Sequence, residues 1–391
     1  MKNWKKLASA ALAAMVMASV MAGCGGEKKK AEADTIRVGA SFELTGNVAN
    51  YGKSILAGLK MATEEINAKG GVNGKKITII ESDNKSEPSE SGNSITKLVT
   101  QEKVIAVVGP ATSGCVNAGA PITTANKIPH IAPAATAENI TVDDSGKTKE
   151  YMFRACFIDP FQGTVMAKFA TTTLAAKNVA VYFDSSSDYS KGLAAAFEAQ
   201  LNKDGGKVVV KEAFLAKDMD FRAALTKIKA ANPEVIYIPG YYEEVSKIIK
   251  QGREMGITVP MLGCDGWEST KLAEIAGAAA LKDCYYVSAF SADDPDQSVQ
   301  KFIGDYKAKN NNAAPDIFVM QGYNAGLVLA DALKRSNNAT GAELAKAIAA
   351  TKDLPVASGK FTYDEKHNPV MPALIISMEG GKPSLKEKIS L

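Results

Sequence analysis

From Thr35 onward, short runs rich in β-branched residues alternate with longer amphipathic segments, and this alternation leaves few architectures open to the chain. Parallel neighbours in a sheet need a crossover of about a dozen residues or more, usually a helix. The pattern therefore predicts an α/β fold with parallel sheets covered by helices. The first half is regular: strands are expected at 35–42, 76–82, 104–109 and 130–133, and helices at 51–68, 88–101 and 113–125. A second series follows "YMFRACFIDP", with helices at 161–176, 191–204, 221–231 and 243–255. Its strands are expected at 178–184, 207–214, 235–240, 259–265 and 284–290. Helices then dominate through 296–309, 317–335 and 341–350, before the strand-like "GKFTYDE" and "PALIISM". Two βαβ series of similar size in a stretch longer than one core usually serves predict two lobes. In such sheets the ligand lies outside the carboxyl ends of the strands, here facing a cleft.

The beginning of the chain has a different character. Lys2, Lys5 and Lys6 form a positive segment, 7–21 an apolar run, and Ala22-Gly23 a small-residue site before Cys24. This is the layout of an export signal, and the run is short for a membrane span. A cysteine directly after small residues resembles the lipobox of bacterial lipoproteins, although Met21 stands where leucine is usual. The alternative is an ordinary signal peptide with an incidental Cys24. The lipoprotein reading assigns 1–23 to a signal peptide and 24–34 to a polar tether, with acyl chains on Cys24 holding the protein to a membrane.

Composition removes several classes. A formal net charge of +3 over 391 residues, with no basic stripe interleaved with aromatics, argues against nucleic acid as a partner. Only His130 and His367 are present, and Cys115, Cys156, Cys264 and Cys284 show neither a CxxC nor a zinc spacing, so no metal or other cofactor is expected. Cys264 and Cys284 either pair or stay as buried thiols. The segment "GNVANYGKS" at 46–54 nearly spells a phosphate-binding loop but has one residue too many between its glycines, so it reads as a turn and helix start. No GxSxG elbow or calcium-loop spacing occurs, and an enzyme is not expected.

The expected strand-end loops are rich in Ser, Thr, Gly, Ala and Tyr, which is the composition of a binding site. A helix start near Ser113 offers free N–H groups to a carboxylate. Asp265, at the end of an expected strand, suits an ammonium group. Tyr51, Tyr189 and Tyr241 either wall an apolar side chain or are ordinary packing.

Five segments, "NAKGGVNGKKITII" (67–80), "VVGPATSG" (107–114), "IPHIAPAATA" (128–137), "DPFQG" (159–163) and "VIYIPGYYEE" (235–244), resemble branched-chain amino acid binding proteins of ABC transporters, of the type I periplasmic binding protein fold. The likeness runs from Ile36 to Met378. It implies two Rossmann-like lobes joined by three crossings near 157, 289 and 363, the first lobe formed by 35–157 with 290–363 and the second by 158–289 with 364–391. It also implies a monomer that closes on a small amino acid and delivers it to the permease. Ser113 and Thr136 would hold the ligand carboxylate through amide and hydroxyl, and the Ala134 carbonyl would hold the ammonium. Tyr51, Tyr189 and Tyr241 match the family's pocket aromatics. Asp265 stands where relatives often carry glutamate, so either a water fills the gap or a differently placed amine is preferred. Trp267 either narrows the pocket or belongs to the core. The rival readings are the same fold around an amide, an aromatic acid or a peptide-like compound, and a ligand sensor for a signalling partner.

Overall fold

The computed structural model describes residues 35–389. The proposed signal peptide, Cys24 and the tether lie outside the described residues.

The first sheet has five strands in the order β2-β1-β3-β4-β5. These are β1 (Ile36–Phe42), β2 (Ile77–Asp83), β3 (Ala106–Val108), β4 (His130–Ala132) and β5 (Met152–Arg154), and every pairing is parallel. Helices α1 (Ala49–Ala68), α2 (Pro88–Thr100) and α3 (Ser113–Ala125) make the crossovers. Pro88 opens α2 at a position whose missing N–H costs nothing. Each strand is buried on its core side; Val38, Ala40 and Phe42 of β1 are fully enclosed.

The second sheet has seven strands in the order β14-β13-β10-β9-β8-β6-β7. Its parallel part comprises β6 (Asn178–Asp184), β7 (Lys207–Phe214), β8 (Val235–Tyr237), β9 (Met261–Gly263) and β10 (Cys284–Ser288). Helices α4 (Asp159–Lys168), α5 (Asp188–Lys203), α6 (Arg222–Ala230), α7 (Tyr242–Glu254) and α8 (Thr270–Ala276) accompany it. At one edge the late strands β13 (Ala373–Ser377) and β14 (Ser384–Ile389) add antiparallel.

Between β10 and β13 the chain returns to the first lobe as α9 (Gln297–Lys309), α10 (Ile317–Arg335), α11 (Gly341–Ala349) and the hairpin β11 (Leu354–Val356) with β12 (Gly359–Phe361). What docks it there is a close helix crossing. A Cβ on Gly58 of α1 would stand 1.9 Å from the Val319 carbonyl oxygen, and one on Gly322 of α10 would stand 2.0 Å from that of Ile55. Only glycine lets the two backbones approach so far. In both sheets the strand order reverses beside the first strand of the series, so the carboxyl ends of β1, β3, β6 and β8 flank the crevices where α/β folds place their ligands.

Some local expectations change and two open alternatives are resolved. The helix expected at 161–176 begins earlier, with Pro160 in its first turn, and α4 gives way to a wide π turn at Phe169–Thr173. The threonines explain the change, since Thr171 and Thr172 return their hydroxyls to the Ala167 and Lys168 carbonyls at 3.0 and 2.6 Å and disturb the ladder. The strand expected at 259–265 is only Met261–Gly263, because the Trp267 ring lies where a side chain on Gly263 would be. Trp267 is fully buried and donates its Nε1–H to the Ile238 carbonyl at 2.9 Å, so it belongs to the core. Cys115, Cys156, Cys264 and Cys284 are all free and buried, and Cys264 and Cys284 do not pair.

Candidate ligand-binding site

The loop from β3 to α3 is set by a carboxylate outside it. Glu43, one residue past β1 and fully buried, accepts the Ala111 and Thr112 N–H groups at 2.9 and 3.0 Å and the Thr112 hydroxyl at 2.8 Å. Gly52 makes room, since a Cβ there would meet the Glu43 backbone at 2.3 Å. The loop therefore arrives at the first turn of α3 in a fixed pose, with Ser113 at its head. The Ser113 hydroxyl accepts the Ala137 N–H at 3.2 Å, which joins this loop to the one after β4.

On the other lobe, Asp265 opens a short 3₁₀ turn (Asp265–Trp267) past β9. Its Oδ1 accepts the Tyr189 hydroxyl at 2.5 Å and the Gln162 amide at 3.0 Å, and Gln162 Oε1 accepts the Asp265 N–H at 3.0 Å. Burial pushes the Asp265 carboxyl up to about 6 against the pull of those two donors. A carboxylate held this way is oriented but short of charge compensation, and a cation in the cavity would supply it.

One cavity spans the lobes, lined by Tyr51, Ala111, Thr112, Ser113 and Ala134 together with Tyr189, Tyr241, Asp265, Gly266 and Phe318. Tyr189 and Tyr241 stack at 5.0 Å with their planes 7° apart, Tyr51 meets the edge of Tyr241 at 5.9 Å, and Phe318 leans on Tyr51 at 4.4 Å. Tyr51 also donates its hydroxyl to the Gly266 carbonyl across the cleft. Further out, Asn50 reaches Ser269 at 2.9 Å, Tyr242 reaches the Asn47 carbonyl at 2.8 Å, and Lys217 pairs with Glu87 at 2.6 Å. The lobes are closed. The enclosed space is about 10 Å³, the room of one water, so an amino acid enters only when the lobes part.

The structure thus brings together Tyr51, Ser113, Ala134, Tyr189, Tyr241 and Asp265. Thr136 is not in the lining: it is fully buried behind it, with its hydroxyl free of any hydrogen bond and its carbonyl accepting the Asp159 N–H at 2.9 Å. Phe318 and Gly266 escaped the sequence reading, as did the supporting Glu43 and Gln162. Gln162 had a signal in the "DPFQG" segment and Glu43 in its place after the first strand, whereas Phe318 looks like any apolar residue of an amphipathic helix.

A crevice at the strand ends, closed by a second lobe and lined by donors, one acid and aromatics, defines a two-lobed solute receptor. The chain belongs to the Periplasmic binding protein family, whose profile it matches over residues 35–382. The family places it outside the cytoplasm and among binding proteins rather than enzymes. It is 33% identical to the Leu/Ile/Val-binding protein BraC3 of Rhizobium johnstonii over 84% of this chain and 88% of the relative. It is 34% identical to an amino acid binding protein of Pseudomonas aeruginosa over 93% of each. Among solved structures, LivJ of Streptococcus pneumoniae in complex with isoleucine is 38% identical with a TM-score of 0.85, covering 91% of this chain and 99% of that one. A solute-binding protein of R. palustris in complex with benzoate, 24% identical with a TM-score of 0.82 over 90% of this chain and 96% of that one, shares the fold.

Proposed function

We propose that the protein is the amino acid receptor of an ABC importer, capturing an aliphatic L-amino acid of the branched-chain class and handing it to the permease. The observation that carries this reading is one cavity with N–H donors at the head of α3 on one wall and Asp265 on the other, about the arrangement a zwitterion needs. Ser113 receives the ligand carboxylate, with the dipole end of α3 behind it. Ala134 offers its carbonyl and Asp265 its carboxylate to the ammonium, and Tyr51, Tyr189, Tyr241 and Phe318 surround the side chain. The lobes hinge at three crossings near 157, 289 and 363, and contacts made only when shut, such as Tyr51 with Gly266, let the ligand favour closure. The names of BraC3 and LivJ support the ligand class.

An aromatic acid is the weaker candidate on charge. No Lys, Arg or His lines the cavity among the described residues, while Asp265 lines it and Glu43 stands behind it. A bare anion would meet two buried carboxylates, whereas a zwitterion brings its own cation.

Calorimetry with the purified protein and a panel of L-amino acids tests the reading. Leucine, isoleucine or valine is expected to bind well below about millimolar Kd. Binding of benzoate with none of these amino acids would overturn it.

A further inference from the structure

Asp159 is the least satisfied charge-bearing group described. It is 1% exposed, and neither carboxylate oxygen makes a hydrogen bond of good geometry, although the Thr136 hydroxyl stands beside it. Among the described residues no cation pairs with it. The nearby buried Arg154 gives its two terminal nitrogens to the Ala135, Ala137 and Glu138 carbonyls and the Thr141 hydroxyl at 2.9–3.3 Å, and its Nε has no partner. Native structures rarely leave such a group alone, and a bound water or ion is one of the few reasons they do.

The space beside Asp159 is a pocket of about 430 Å³ at the edge of the cleft, separate in its lining from the cavity of the main site. The loop after β4 contributes Ala137, Glu138 and Asn139 to it, and the second lobe contributes Asp159, Pro160, Asp188, Gly192, Ala195 and Ala196. Its lining charges are the acids Glu138, Asp159 and Asp188, the last paired with Lys191 at 2.7 Å. Gly192 keeps the way to the carboxylate open, since a Cβ there would lie 3.4 Å from Asp159 Oδ2.

We propose that this pocket is a second site, taking a small aliphatic amine as its ammonium ion with Asp159 as the anchor. A bare metal ion does not fit, because the described residues hold no group of three or more metal-ligating acids, thiols or imidazoles. An alkyl ammonium does, because the acids stand beside the methyl and ring faces of Ala137, Ala195, Ala196 and Pro160. Both lobes line the pocket, so the amine bridges them and favours the closed form. Burial holds the Asp159 carboxyl well above the usual range, with Asp265 and Glu138 adding to this and Arg154 and the Thr136 hydroxyl opposing it. The proposal stands apart from the identity of the main ligand.

The test is calorimetric titration of 1,4-diaminobutane into the full chain at neutral pH. One saturable site is expected. Asp159→Asn should weaken binding by about tenfold or more, and Asp265→Asn, whose charge is felt at Asp159, should weaken it much less. Gly192→Ala, which removes no hydrogen-bonding side chain, should weaken it several-fold and serves as the test if Asp159→Asn fails to fold. Absence of saturation by roughly 10 mM amine would overturn the proposal. So would unchanged affinity in Asp159→Asn or Gly192→Ala, which would assign the heat to the general acidity of Glu138 and Asp188. Equal loss in Asp265→Asn would put the amine in the main cavity instead.

Discussion

Asp265 is drawn two ways by pH. Its carboxyl is raised to about 6 in the folded protein against roughly 3.9 unfolded, so it contributes stability that is fully present below about pH 4 and is lost as pH rises through about 6. Ligand binding runs the other way, since an ammonium group needs the ionised form. Amino acid affinity is therefore expected to be flat above about pH 7 and to fall as pH drops through 6, which titrations across pH 4.5–8 would reveal. Asp265→Asn should cost about 2 kcal/mol of binding or more, roughly 30-fold in Kd, and should remove the pH dependence. Glu43 acts at one remove. Glu43→Gln leaves one buried donor of the Ala111–Thr112 loop poorly matched, and both the melting temperature and the affinity should fall, by about 1–3 kcal/mol in stability. Unchanged affinity with lowered stability would make Glu43 a purely structural residue. At this scale the sequence was readable wherever a residue type announced its chemistry at a strand end, as for Ser113, Tyr189 and Asp265. It was silent on Phe318 and Gly266, which the cavity gathers from helix and turn positions that look ordinary in one dimension.

At the scale of elements, the parallel strands were legible because burial on both faces demands continuous apolar runs, and "NVAVYFD" and "VIYIPG" have them. Helix ends were less so. The threonines at 171–173 widen a helix into a π turn through side-chain bonds that periodicity does not encode. The end of β9 was hidden for another reason: Trp267 folds back over Gly263, a contact between residues whose apolar pattern reads as more strand. The α1–α10 crossing rests on glycines that carry no periodic signal. Gly322→Ala would force a methyl to within 2.0 Å of the Ile55 carbonyl oxygen, and the helices would have to separate. A loss of about 1–3 kcal/mol in denaturant unfolding is expected, with ligand affinity reduced because α1 carries Tyr51 and α10 carries Phe318. Wild-type stability in that variant would show that the crossing relaxes freely.

The whole molecule is a receptor whose two halves meet over the ligand, and its proposed anchor determines where it works. A lipid on Cys24 would keep the receptor beside its permease, at an effective concentration set by the tether at 25–34. Cys24→Ser should leave ligand binding by the purified protein intact and release the protein from washed membranes. Retention of that variant would count against the lipoprotein reading. Ligand should also stabilise the whole fold by mass action, about 2.7 kcal/mol at a hundredfold excess over Kd, and calorimetric melting would register it.

Two of the enclosed thiols give this receptor a built-in clock. Cys264 is wholly enclosed and touched by the Tyr189 hydroxyl at 3.0 Å, and Cys115 lies in the first turns of α3. Burial pushes both thiols well above their ordinary range, so an alkylating reagent finds neither a path nor a thiolate while the cleft is shut. Neither thiol lines the cavity, but Tyr189 over Cys264 and Ser113 two residues before Cys115 both do, so a reagent approaches either thiol only once the lobes part. The rate at which the unmodified protein takes up a thiol reagent therefore counts openings, and a saturating ligand should slow it in proportion to the openings it suppresses.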